Sequence, residues 1–160
     1  MTRTIRAARP NEAALLTELA CRSKAFWGYG VPFMAAFRAS LTLTPEQIAA
    51  WPTFILEAHD TVLGFYTLRE LGGRPFLDDL FVAPEAIGIG VGTALWAHML
   101  GTAEAQGYSR LSIESDPYAE AFYLARGAVR VGSVPSTLLE GRHLPLLEVE
   151  VTGRAEQPSE

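Results

Sequence analysis

The order in which hydrophobic periods follow one another predicts an α+β fold. It is a mixed, mostly antiparallel sheet of six to seven strands flanked by helices, with one parallel strand pair near its centre. Three observations carry this. The chain has 160 residues, 49% hydrophobic and 19% charged, enough for one sizeable core and too apolar for disorder. The hydrophobic period changes from helical to alternating at about Thr53 and back to helical at about Gly90. A helix joins the strand ending at Val82 to the one beginning at Ser109, and a crossover of that kind makes the two strands parallel.

Each element has a local reason. Thr2 to Ala8 reads as a first strand. Pro10-Asn11-Glu12 opens a helix with Asn11 as its N-cap, and Leu15, Leu16 and Leu19 form its apolar stripe. Ser23 to Tyr29 reads as irregular and aromatic. Helical patterns return from about Pro32 to Ser40, and again from the capping Thr44, followed by Pro45, to Ala50. Thr53–Ala58 and Thr61–Glu70 alternate as strands around a tight turn at His59-Asp60, and Arg74–Val82 follows Gly72-Gly73 as the third strand of a meander. A glycine-rich loop leads into a helix over about Gly90–Gln106, with Gly107 placed to end it in the left-handed conformation. Ser109–Glu114 is a strand, Pro117–Arg126 a helix capped by Asp116, and Ala128–Val134 and Leu146–Val151 are the closing strands. No linker or repeat divides the chain, so residues 1–151 are read as one domain and 152–160 as a loose tail.

Charge and cysteine usage narrow the function classes. The formal net charge is −5, which argues against a broad nucleic-acid-binding face, and Lys24 is the sole lysine. Overall negative charge favours cationic small molecules by steering. Met1 to Arg6 lacks an apolar signal core and no run is long enough to span a bilayer, so a soluble cytoplasmic protein without membrane contact is expected. The single Cys21 cannot form an internal disulfide, no Cys/His cluster has metal-ligand spacing, and His59, His98 and His143 form no constellation; no metal is expected.

The stretch from Leu80 to Leu95 carries the chemistry. An apolar strand meets Pro84, then Gly88, Gly90 and Gly92 at alternate positions, then a helix. Backbone N–H groups in such a loop can converge on an anion at a helix N-terminus. No lysine precedes Thr93, which excludes a Walker loop, and G-x-G-x-G is not the dinucleotide pattern. The plainer alternative is a glycine loop that only lets helix and strand pack closely.

Val82, Pro84, Gly90 and Gly92, with Gly88, match V-x-P-x-x-[RQ]-x-x-G-x-[GA] apart from its [RQ] position, and Asp116, Ala119, Phe122, Tyr123 and Gly127 match a downstream N-x-x-A-x-x-[FL]-Y-x-x-x-G segment apart from its first residue. On these two motifs, in order and in the right elements, the chain resembles the GNAT superfamily of acyl-CoA-dependent N-acyltransferases over about residues 3 to 151. Ile87 stands where that family prefers Arg or Gln, and Asp116 where it often has Asn.

The resemblance implies that the backbone at Leu80, Phe81 and Val82 pairs with the pantetheine arm of acetyl-CoA, with a backbone N–H polarising the thioester carbonyl. It implies that Ile87, Gly88, Ile89, Gly90, Val91, Gly92 and Thr93 hold the pyrophosphate, with Asp116, Ala119 and Phe122 beside the cofactor. Tyr123 matches the tyrosine that protonates the leaving thiolate. Glu114 ends its strand beside the crevice and is the candidate base. Trp27, Tyr29 and Asp79 are the candidate acceptor contacts, with Phe33 and Phe37 read equally as core. Asp78 and Asp79 are adjacent on a strand, so at most one should face the cleft. Ser136 to His143 should form another cleft wall, where Arg142 can attract an anionic group. The expected function is acetyl transfer to a primary amine of a small molecule or an amino terminus, directly within a ternary complex. A non-catalytic acyl-CoA sensor is the alternative. Relatives pair, so a homodimer is expected.

Overall fold

A computed structural model describes residues 2–41 and 43–151. The expected tail at 152–160 lies outside the described residues. Seven strands form one sheet: β1 (Arg3–Ala7), β2 (Thr53–Ala58), β3 (Thr61–Leu71), β4 (Arg74–Val82), β5 (Arg110–Glu114), β6 (Val129–Pro135) and β7 (His143–Glu150), in the order β1-β2-β3-β4-β5-β7-β6. Only β4 and β5 are parallel, as the crossover requires. The helices are α1 (Ala13–Ala25), α2 (Val31–Ser40), α3 (Pro45–Ala50), α4 (Val91–Ala105) and α5 (Glu120–Leu124).

The sheet is covered on both faces. Along β3, Tyr66 turns to α4, where its hydroxyl lies 2.7 Å from His98 Nδ1, and an added Cβ at Gly64 would meet Leu95 and Val91. Phe65 turns the other way, onto Phe81, which in turn meets Phe37 of α2. Leu63 to Leu68 is therefore buried on both sides, which explains its continuous apolar run. Cys21 is buried in the same core, and desolvation pushes its thiol pKa up, away from reactivity.

Several local expectations hold and several shift. His59 (φ 50°) and Asp60 (φ 62°) are both left-handed, the geometry of a tight two-residue hairpin, and Gly107 (φ 85°) follows α4 as expected. Asn11 is not a cap: Pro10–Glu12 is a single 3-10 turn, and the Glu12 carboxylate accepts from the Arg9 amide at 2.7 Å. α1 continues through Ser23–Ala25, so the irregular stretch is shorter than expected. The helix after Asp116 begins only at Glu120. Asp116 instead accepts from the Tyr118 amide at 2.8 Å and closes a turn around Pro117. β7 starts at His143, earlier than its apolar pattern implied, because its first residues pair with β6 (Pro135 opposite His143).

Two irregularities shape the centre of the sheet. β3 and β4 pair Thr67 with Asp79 and then Leu68 with Leu77, leaving Asp78 as an extra residue in a bulge. β4 and β5 are in register only at Phe76 and Ser112, and beyond that point they diverge. The edge of β4 from Leu80 to Val82 that faces β5 is thus open, while its other edge is fully paired with β3.

Candidate active site

A cavity of about 650 Å³ fills the gap between the diverging strands. Its floor is β4 from Leu77 to Val82 and the end of β5 from Ile113 to Asp116. At one end lies the glycine loop. Gly88 (φ 86°) and Gly90 (φ 87°) are left-handed, which only glycine adopts without strain, and Gly90 is the residue from which α4 starts. Gly92 serves a different need: a Cβ there would lie 3.0 Å from the Phe122 ring of α5. The first backbone hydrogen bond of α4 runs from Ala94 to Gly90, and the amides from Gly88 to Thr93 have no hydrogen-bond acceptor among the described residues. These free donors, together with the helix dipole, could hold an anion.

The loop has no cation at Ile87, which is half-exposed. Arg126, just beyond α5, brings one from the opposite wall. Its guanidinium lies 3.6 Å from the Phe122 ring centroid, donates to Phe122 O at 2.9 Å and reaches Thr93 Oγ1 at 2.6 Å. The sequence reading missed it, although it stands three residues after Tyr123 and directly before Gly127.

Tyr123 borders the cavity and is packed by Trp96 and Phe122. Its hydroxyl has no hydrogen-bond partner among the described residues. Burial, then the charges of Asp79 and Asp116, raise its pKa, so it holds its proton. Asp79 also borders the cavity. Burial and then the neighbouring Asp78 push its carboxyl up to about 7, partly opposed by Arg69. The expectation that only one of the two aspartates faces the cleft is overturned: the bulge breaks the alternation and both border it, with Asp78 3.3 Å from Arg69. Glu114 lines the cavity at the exposed end of β5.

The far wall is aromatic and charged. Trp27 stacks on Tyr118 (5.3 Å, 6°) and Tyr29 on Phe33 (4.1 Å, 15°). On the same wall, three groups converge on Asp116 Oδ2: Lys24 Nζ at 2.5 Å, Tyr29 OH at 2.9 Å and Arg142 Nη2 at 3.7 Å; Arg142 also donates to Tyr29 OH. The side chains of Lys24, Asp116 and Arg142 are only 13%, 10% and 17% exposed. Ion pairing holds the Asp116 carboxyl below its ordinary range despite burial, and burial lowers the Lys24 ammonium. Desolvation and Asp116 push the Tyr29 phenol up to about 12.

The cavity therefore brings together most of the residues singled out from the sequence: Leu80, Phe81 and Val82; Ile87, Gly88, Gly90, Val91, Gly92 and Thr93; Glu114, Asp116, Ala119, Phe122 and Tyr123; and Trp27 and Asp79. Two fall outside its lining. Ile89 turns away, its carbonyl accepting from Arg3, and Tyr29 sits behind the wall, where it orders Asp116 and Arg142. Lys24 was not singled out for the site, although its being the only lysine was a usable signal. Among the described residues no group of three or more His, Cys, Asp or Glu side chains could hold a metal ion, and no helix is long and apolar enough to cross a membrane.

Comparison with known proteins agrees with this architecture. A GCN5-related N-acetyltransferase from Rhodopseudomonas palustris superposes with a TM-score of 0.78 at 22% identity, over 94% of this chain and 96% of that one. The PaiA N-acetyltransferase from Thermoplasma acidophilum, solved with coenzyme A, gives 0.77 at 16% identity over 94% and 99%. The ribosomal-protein-S18-alanine N-acetyltransferase from Escherichia coli gives 0.68 at 17% identity over 99% and 100%. No curated protein sequence matches the chain. The acetyltransferase (GNAT) family model matches residues 18–128, and the chain belongs to that family.

Proposed function

We propose that the protein transfers an acetyl group from acetyl-CoA to the primary amine of a small molecule or an amino terminus, directly and within a ternary complex. One observation carries the reading: a single cavity is lined by five residues whose amides are unpaired, by a proton-holding phenol and by a carboxyl titrating near neutrality. The amides from Gly88 to Thr93, with Arg126, would hold the pyrophosphate, and the open edge of β4 would pair with the pantetheine arm. A backbone N–H there, at Val82, would polarise the thioester carbonyl. The bond from the acetyl carbon to sulfur breaks as the bond to the amine nitrogen forms. Asp79 accepts the proton the amine loses, and Tyr123 donates to the departing thiolate.

The two groups are coupled in the useful direction. The Asp79 charge is one of the causes holding the Tyr123 proton, so neutralising Asp79 makes Tyr123 a better acid. Asp79 is preferred to Glu114 as base because its carboxyl titrates near 7 and its charge reaches Tyr123, whereas Glu114 sits at an exposed strand end.

Calorimetric titration with acetyl-CoA, with NADH as control, tests the cofactor half. Release of the CoA thiol with a panel of primary amines tests the chemistry. Saturable acetyl-CoA binding with amine-dependent thiol release is expected. Binding without turnover on any amine would favour the sensor reading, and binding of neither nucleotide would refute both.

A further inference from the structure

Resting on the acetyl-transfer reading, we propose that the acceptor is an α-amino acid with an apolar side chain, and that Arg142 binds its carboxylate. The charges on the far wall do not balance. The far wall buries two cations, Lys24 and Arg142, against one carboxylate, Asp116. Asp116 is already engaged: Oδ2 takes Lys24 and Tyr29, and Oδ1 takes the Tyr118 amide. Arg142 reaches it only at 3.7 Å, beyond hydrogen-bond range. A buried cation without its own anion is costly, and one monoanionic ligand group would balance it.

The geometry of Arg142 fits that task. Its only hydrogen-bonded guanidinium nitrogen among the described residues is Nη2, which donates to Tyr29 OH. Nε and Nη1 remain unused, and the residue borders the cavity. The Tyr29 and Phe33 rings, 4.9 Å and 5.3 Å from the guanidinium carbon, hold the fork in place from one side. The loop that carries it is pinned as well, by Ser136 N to Arg142 O (2.8 Å), Arg142 N to Leu139 O (3.1 Å) and the Ser136 hydroxyl on the Leu138 and Leu139 amides. A planar fork with free adjacent donors matches a carboxylate.

The cavity is polarised in a way that suits a zwitterion. Asp78 and Asp79 lie on β4, with Tyr123 within electrostatic reach of Asp79; the surplus positive charge lies on the wall formed by α1 and the β6–β7 loop. An ammonium group directed at Asp79 and a carboxylate directed at Arg142 use both. Trp27, Phe33, Phe37 and Leu138 also line the cavity and suit an apolar side chain branching from the carbon that bears both charged groups. The local field thus adds an anionic requirement to the preference for cationic groups that net charge favours by steering.

The test compares three amino acids, L-leucine, L-methionine and L-phenylalanine, each with its decarboxylated amine, in wild type, R142Q and R142K. The readout is the ratio of kcat/KM for each amino acid to that of its amine. In wild type this ratio should exceed one by roughly ten- to a hundredfold for at least one pair, the range for a hydrogen bond to a charged group. R142Q should collapse the ratio towards one, and R142K, which keeps the charge but not the fork, should leave an intermediate value. A wild-type ratio near one for all pairs, or a ratio unchanged in R142Q, overturns the proposal while leaving acetyl transfer intact. The same preference is measured without turnover by titrating CoA-saturated protein with N-acetyl-L-phenylalanine and with N-phenethylacetamide. An Arg142-dependent preference for the acid in a protein that acetylates nothing would uphold the subsite and sink the acetyl-transfer reading. No preference there overturns the subsite.

Discussion

Replacing Asp116 by Asn removes the single carboxylate between two buried cations without changing side-chain shape. In the wild type its Oδ2 lies 2.5 Å from Lys24 Nζ, with both side chains no more than 13% exposed. Breaking a buried ion pair by removing one partner costs about 3–5 kcal/mol, because the other charge is left uncompensated. The Asn oxygen still accepts from Tyr118 N and offers Lys24 a dipole, so the lower end, about 3 kcal/mol, is expected. For a domain of this size that is a fall of roughly 6–12 °C in Tm. Urea denaturation at pH 7 measures it, and pH supplies a second check. The folded Asp116 pKa lies below its ordinary value. Its stabilisation is therefore complete above about pH 4 and is lost as pH falls through the folded value, so the difference between wild type and D116N should narrow there. Adding K24M to D116N removes the charge that Asp116 was paired with, and the double variant should lose less than the sum of the two single losses. A D116N loss under about 1 kcal/mol at pH 7, or strict additivity with K24M, would refute the buried-pair reasoning.

Three further outcomes are expected. Y123F should lower acetyl transfer by roughly a hundred- to ten-thousandfold while acetyl-CoA affinity and the urea midpoint barely move, since the hydroxyl has no partner to orphan; a loss of threefold or less removes Tyr123 from the acid role. Asp79 is expected to make wild-type turnover rise with pH through about 7 and D79N to abolish that rise. Because its folded pKa is raised, ionisation disfavours folding increasingly between about pH 4 and 7, so D79N should be more stable than wild type at pH 8 and no different at pH 4; equal gaps at both would count against the buried carboxyl. G64A should destabilise by about 1–3 kcal/mol and raise KM for acetyl-CoA. Its Cβ would meet Phe81 O at 2.8 Å and Leu95 Cδ1 at 2.9 Å, forcing β4 to shift along the edge that faces the cavity; unchanged stability would show that the strands yield freely.

By itself the sequence determined the features that depend on neighbours along the chain. The period change at Thr53, the glycines before α4, the left-handed turn at His59-Asp60 and the order Asp116, Ala119, Phe122, Tyr123 are set by backbone conformation and side-chain spacing within a few residues. Those interactions are local, and they were enough for the fold class and the glycine-rich loop. Element ends were less legible, because α5 and the start of β7 depend on what Asp116 and β6 bond to. The polar site was decided only by tertiary structure. The bulge that brings both Asp78 and Asp79 to the cavity arises from the register of β3 against β4, which no strand pattern encodes. Lys24 and Asp116 are 92 positions apart, and Tyr29 and Arg142 are 113 apart. Their charges carry no mark of one another in sequence, because Coulomb and hydrogen-bond energies depend on distance through space. Only the packing of α1 and of the loop between β6 and β7 against the end of β5 brings them within a few ångströms, largely out of water, where charges act most strongly.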